Sequence, residues 1–104
     1  MVARGEVWWS EDPALGRRPV LVLSRNAVLG TLERPLVAPL TTRVRHLPTE
    51  VALDAEDGLP RRCVVSLDNT QPVSRALLVG RVTRLGPGRM RQVCEALAAA
   101  VECE

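Results

Sequence analysis

The side chains able to do chemistry in this 104-residue chain form a short roster: one histidine (His46), three cysteines (Cys63, Cys94, Cys103), adjacent tryptophans (Trp8, Trp9), twelve carboxylates and fourteen basic residues, every one an arginine. A lone histidine cannot provide the paired imidazoles of a two-histidine acid–base site. Cysteines without a Cys-x-x-Cys pair or a second imidazole do not make a zinc site, so no metal and no cofactor are expected. They read as free thiols of a reducing cytoplasm and not as a secreted disulfide scaffold. Arginine forks phosphate well, yet Lys, Ile, Phe and Tyr are absent altogether, the pattern a GC-rich coding sequence leaves. Codon bias accounts for the arginines as a class, and a net charge of +2 gives little support to a protein that coats polyanions. Position is more informative than number. Arg18 precedes Pro19, which biases its backbone to extended geometry, and successive residues of a strand face opposite ways. Only one of Arg17 and Arg18, and one of Thr41 and Thr42, should then enter a given site.

The elements that would carry these residues read as short strands and one terminal helix, in a single domain over residues 1–104. Residues 4–9 have strand character and residues 10–16 are a Pro- and Gly-punctuated loop. The apolar run 20–23 suits a strand buried on both faces, and 25–34 is a polar excursion, loop or short helical turn. Residues 36–41 form a third strand in which Pro39, unable to donate a ladder bond, predicts an edge or a bulge. Strands follow at 49–53, 63–69 and 78–85, with an acidic turn at 54–58. Met90, Val93, Leu97 and Val101 then recur at helical spacing, with Pro87 and Gly88 ahead of them. The fold class is mainly β with a C-terminal α-helix, a small antiparallel barrel with a helix packed on it. No apolar run reaches a membrane span, and the first residues lack the apolar core of a signal peptide.

Three motifs in order carry a resemblance to a known family. Arg4-Gly5-Glu6-Val7-Trp8-Trp9, Arg18-Pro19-Val20-Leu21-Val22-Leu23 and Val37-Ala38-Pro39-Leu40-Thr41-Thr42 resemble the first three strands of the MazF/PemK toxin endoribonucleases. Weaker matches run through 47–51, 63–69 and 82–85 into the helix. The resemblance implies an SH3-like β-barrel of the CcdB/MazF kind, acting as a homodimer. It implies metal-independent, sequence-specific cleavage of single-stranded RNA, leaving 2′,3′-cyclic phosphate and 5′-OH ends, with messenger RNA the usual target and transfer or other RNA open. Its implied partner is a MazE-like antitoxin whose acidic, disordered tail folds over the active site. The loop from Ser10 to Arg17 is shorter than in many relatives, and Leu77 stands where they often carry a basic residue.

Cleavage of this kind requires removal of the 2′-OH proton, stabilisation of the charged phosphorane and protonation of the 5′ oxygen. The family's catalytic arginine and threonine correspond here to Arg18 and Thr41. Arg18 serves as a bidentate clamp on phosphorane charge, with acid–base service as the alternative. Asn69 corresponds to an amide near the RNA bases, or else shapes a turn with Asp68 and Thr70. Arg17, Ser24, Thr42, Arg43 and Leu47 complete the implied substrate groove. One tryptophan should face inward, and the other could stack a base or line a dimer contact. His46, with Arg43 and Arg45, reads as a solvated basic loop or a phosphate contact. Two other readings use the same fold: a non-catalytic inhibitor resembling the gyrase poisons, and a degenerate member that only binds RNA or its antitoxin.

Overall fold

Alternation of side chains explains most of the sheet. The computed structural model describes residues 1–102; Cys103, read above as a free thiol, lies outside them. Seven antiparallel strands are formed: β1 Glu6–Ser10, β2 Arg18–Val22, β3 Leu36–Thr41, β4 Glu50–Leu53, β5 Cys63–Ser66, β6 Gln71–Pro72 and β7 Leu78–Arg84. They pair in the order β4-β5-β3-β2-β1-β7, with β6 alongside the first residues of β3. The apolar run of β2 is buried on both faces, as its continuity predicts. Leu21 packs with Val7, Ala38, Leu40 and Val65 on one side, while Val20 and Val22 pack with Val37, Val73 and Leu78 on the other. Along β1 Val7 joins the first cluster, Trp8 leans half-buried on the second, and Trp9 stays exposed.

The barrel is an open one: among the described residues β4 and β7 end the path without pairing to each other. Helix α2, Pro87–Ala100, covers the opening, with Met90, Val93 and Ala96 buried against Val51, Leu53 and Leu67. Each fully buried Val or Met side chain contributes roughly 1.5–3 kcal/mol. The helix departs from the sequence reading at its C-terminal end only. Pro87 and Gly88 are its first turn, Pro87 being tolerated there because the first helical N–H groups have no partner within the helix. Val101 lies past its end and is exposed, so Ala96 completes the buried stripe instead.

Two further expectations change, and the reading of 25–34 holds. Pro39 is neither at a sheet edge nor in a bulge; β3 is interior, with β2 on one side and β5 and β6 on the other. Leu36 offers its N–H and C=O to the β2 side, and backbone groups alternate along a strand. Pro39 therefore faces the other side, in the interval after β6 pairs at Val37 and before β5 pairs at Leu40. No ladder donor is needed there. The strand expected over 63–69 stops at Ser66, and Leu67–Asn69 is a 3-10 turn. The 25–34 excursion contains one helical turn, α1, Asn26–Leu29.

A buried carboxylate, Glu6, and a partly buried one, Asp57, pin the ends of β1 and β7. Glu6 accepts hydrogen bonds from Ala3 N–H (2.7 Å), the Trp8 indole (3.1 Å) and Arg81 (3.0 Å). Burial alone would raise its pKa, but these donors hold it below the ordinary carboxylate value. Asp57 closes a capping box with Asp54 and takes Arg89 of α2 at 3.0 Å. It too is held low, burial being outweighed by Arg89 and the Asp54 N–H. Gly58 follows at φ +86°, where an added Cβ would stand 2.3 Å from Thr83 Oγ1. Thr83 approaches that closely because its hydroxyl donates to Asp57 O at 2.9 Å. These ties fix the loop from Gly58 to Arg62 against β7.

Candidate active site

The register of β2 and β3 assembles the site. Val20 lies opposite Pro39 and Val22 opposite Val37; two residues further along, the same register sets Arg18 beside Thr41. Both residues line two hollows at once. An apolar hollow of about 500 Å³ is walled by Trp9, Arg17, Pro19, Leu40, Thr42, Leu59, Pro60, Arg61, Cys63 and Val82. A polar hollow of about 450 Å³ is walled by Arg43, Arg45, Leu47, Glu50, Ser66, Asp68, Asn69 and Gln71, with Ala14, Leu15 and Pro39. Arg18 and Thr41 are the wall between them.

Arg18 Nε is buried and has no hydrogen-bond partner among the described residues. An unsatisfied buried donor costs about 1–3 kcal/mol, and such a group needs a reason to persist. A guanidinium with a free fork edge in a shared wall offers ready donors to an oxyanion. Thr41 Oγ1 accepts from Arg43 N–H at 3.1 Å, which leaves the hydroxyl's own proton to donate. The pair can therefore present several donors to one tetrahedral group.

The other candidates divide. Asn69, Arg43 and Leu47 line the polar hollow; Asn69 Nδ2 donates to Ser66 Oγ at 2.7 Å, so its amide is held in place by the end of β5. Arg17 and Thr42 line the apolar hollow and not the polar one, in keeping with alternation, which puts them with Pro19 and Leu40 on the face away from Pro39. Arg17 is placed 5.6 Å above the Trp9 ring, which holds the outward tryptophan at the rim. Ser24 is not brought to the site; it lies beyond the other end of β2, where its hydroxyl accepts from Leu36 N–H at 2.9 Å. His46 lines neither hollow and occupies a left-handed turn at φ +56°.

Arg61, Glu50, Asp68 and Gln71 line the site without having been singled out from the sequence. Arg61 had a local signal, the Arg61-Arg62 pair just after Gly58-Leu59-Pro60. The carboxylates had none, because a groove for an anion argues against them until their partners are seen. Cys63 borders the apolar hollow, but burial and the nearby Asp57 charge push its thiol up and keep it protonated. Among the described residues no cluster of three or more His, Cys, Asp or Glu side chains could hold a metal ion.

Known proteins resemble this chain over nearly its whole length. The model of the PemK-like, MazF-like toxins of type II toxin–antitoxin systems matches residues 3–101. A Mycobacterium tuberculosis protein named "Probable endoribonuclease MazF5" is 54% identical over 97% of this chain and 94% of its own length. Endoribonuclease EndoA of Bacillus subtilis is 30% identical over 93% of this chain and 91% of its own. Among solved structures, the M. tuberculosis toxin MazF-mt6 superposes with a TM-score of 0.88 at 35% identity, covering 95% of this chain and 98% of that one. A mycobacterial endoribonuclease solved in complex with its cognate antitoxin gives 0.90 at 29% identity, covering 100% of this chain and 98% of that one.

Proposed function

The chain belongs to the PemK-like, MazF-like toxin family of type II toxin–antitoxin systems, and we propose that it is an endoribonuclease cutting single-stranded RNA at the wall formed by Arg18 and Thr41. The observation that carries the reading is the buried, unpartnered Nε of Arg18 beside a threonine hydroxyl, between two hollows each able to take a nucleotide. In the reaction the ribose 2′-OH attacks the adjacent phosphorus and the P–O5′ bond breaks. The products are a 2′,3′-cyclic phosphate and a 5′-OH. Arg18 clamps the non-bridging oxygens as charge builds on them, and Thr41 donates a further hydrogen bond to one of them.

Arginine side chains stay protonated in proteins, so a guanidinium is a poor base at neutral pH. That favours the electrostatic clamp over a literal general base, with proton donation to the leaving oxygen open to the same guanidinium. A non-catalytic inhibitor on this fold would have no use for an orphaned guanidinium facing a hydroxyl. No helix among the described residues is long and apolar enough to cross a membrane. The reading places the protein in the cytoplasm as a homodimer, held in check by an antitoxin whose acidic tail occupies the arginine-lined groove.

Purified protein incubated with a long unstructured RNA in EDTA tests this. Cuts at one short motif, with cyclic phosphate ends, are expected from the wild type and not from Arg18→Ala or Thr41→Ala. A wild type that leaves that RNA and a transfer RNA pool intact, or cuts only without EDTA, overturns the proposal.

A further inference from the structure

A polyanion does not bind next to carboxylates without a reason, yet the polar hollow beside Arg18 contains two, Glu50 and Asp68. Glu50 is accounted for internally: its oxygens accept from the backbone N–H groups of Arg45 (3.0 Å) and Leu47 (3.4 Å), which ties down the loop before β4. Asp68 is different. It is exposed on the Leu67–Asn69 turn, and Thr49 Oγ1 donates to its Oδ2 at 2.6 Å. That bond sets the carboxylate's orientation while leaving most of its lone-pair sites free. An oriented acceptor that repels phosphate is suited to a ligand edge made of donors.

We propose that the polar hollow takes a guanine beside the scissile phosphate, and that Asp68 reads its Watson–Crick edge. Guanine presents N1–H and N2–H₂ side by side, two donors spaced for the two oxygens of one carboxylate. Uracil, cytosine and adenine each present a single donor group on that edge. The neighbouring Asn69 amide, held by Ser66, limits the hollow on the same turn. The apolar hollow across the Arg18 wall offers Trp9, Leu59 and Pro60, surfaces that stack any base. Specificity therefore resides on the Asp68 side of the cut, and tolerance on the other.

The inference rests on the RNA-cutting reading of this site, and one experiment separates the two. Cut ends of the wild type are mapped, then short RNAs carrying guanine or inosine at the position beside the cut are compared. Inosine lacks only the N2 amino group. The expected result is a guanine at one fixed position in every cut motif and a kcat/KM about tenfold lower for inosine with the wild type. Asp68→Asn should lose that difference, and Thr49→Val, which frees the carboxylate, should narrow it. Cutting with no fixed guanine, wild-type rates equal for guanine and inosine, or an undiminished inosine penalty in Asp68→Asn overturns the inference and leaves the nuclease standing. No cutting by the wild type removes both.

Discussion

Replacing Arg18 by methionine should separate catalysis from stability with opposite signs. The buried Nε has no partner, so the folded protein carries an unsatisfied donor worth about 1–3 kcal/mol. Methionine keeps an unbranched stem able to fill the same space and removes the donor. The variant is expected to be as stable as the wild type or up to about 2 kcal/mol more stable, a rise in Tm of several degrees for a chain this size. Against RNA it loses a charged fork that makes two charge-assisted hydrogen bonds of about 1.5–3 kcal/mol each. The expected fall in kcat/KM is on the order of 10² to 10⁴. Urea unfolding and initial cleavage rates on one RNA, run on the same preparations, give both quantities. An Arg18→Met protein destabilised by more than about 1 kcal/mol would refute the reasoning, since Nε would then have a structural partner in solution. So would a stable variant that still cuts within a few-fold of wild type.

Gly58→Ala should destabilise by roughly 2–3 kcal/mol, combining a left-handed backbone with loss of the Thr83–Asp57 bond. Gly16→Ala, left-handed but with nothing within 4 Å of its new Cβ, should cost about 1 kcal/mol in the same urea series. Glu6 and Asp57 ionise at lower pH folded than unfolded, so the unfolded chain binds more protons in acid. Their contribution is complete above the unfolded carboxylate range, near pH 4, and is lost as pH falls through the folded values. Urea midpoints should drop on acidification, and less steeply in Asp57→Asn. Iodoacetamide followed by peptide mass mapping should find exposed Cys94 labelled well before buried Cys63, whose thiol is pushed up.

What the sequence disclosed depended on whether a feature was local. The two-faced burial of β2 follows from an uninterrupted Val-Leu-Val run, and the split between Trp8 and Trp9 from simple alternation. Arg18 and Thr41 meet because β2 and β3 pair with a fixed register, which the motifs carry only through a family resemblance. Alternation also separates Arg17 and Thr42, which line only the apolar hollow, from Arg18 and Thr41, which reach the polar one as well. The helical stripe does not extend to Val101 because the helix ends at Ala100 and leaves that side chain exposed, with Ala96 buried beside Met90 and Val93. The resemblance assigns Ser24 to the substrate groove, but the length of β2 carries it past the opposite end of that strand from Arg18. Arg61 and Asp68 reach the site from chain segments some forty to fifty residues away, and nothing in the local pattern announces such an approach.

Pro39 connects the fold to the chemistry. On the side of β3 away from β2, the neighbour changes from β6 to β5, and Pro39 falls in the interval. Any other residue would place an N–H there with no ladder partner, whereas proline has none to satisfy. The chain leaving β5 must then turn at Leu67–Asn69 to reach β6, and that turn holds Asp68 and Asn69 over the gap. Pro39, Ser66, Asp68, Asn69 and Gln71 all line the polar hollow, so the hollow is the break in the sheet itself. Arg18 and Thr41 stand where β2 and β3 meet its edge. A groove made this way has one wall of backbone-anchored polar groups and another of Trp9 and the Gly58–Arg62 loop. An RNA strand crossing the wall between them meets the two sides on unequal terms, one contacting it through hydrogen bonds and the other through stacking.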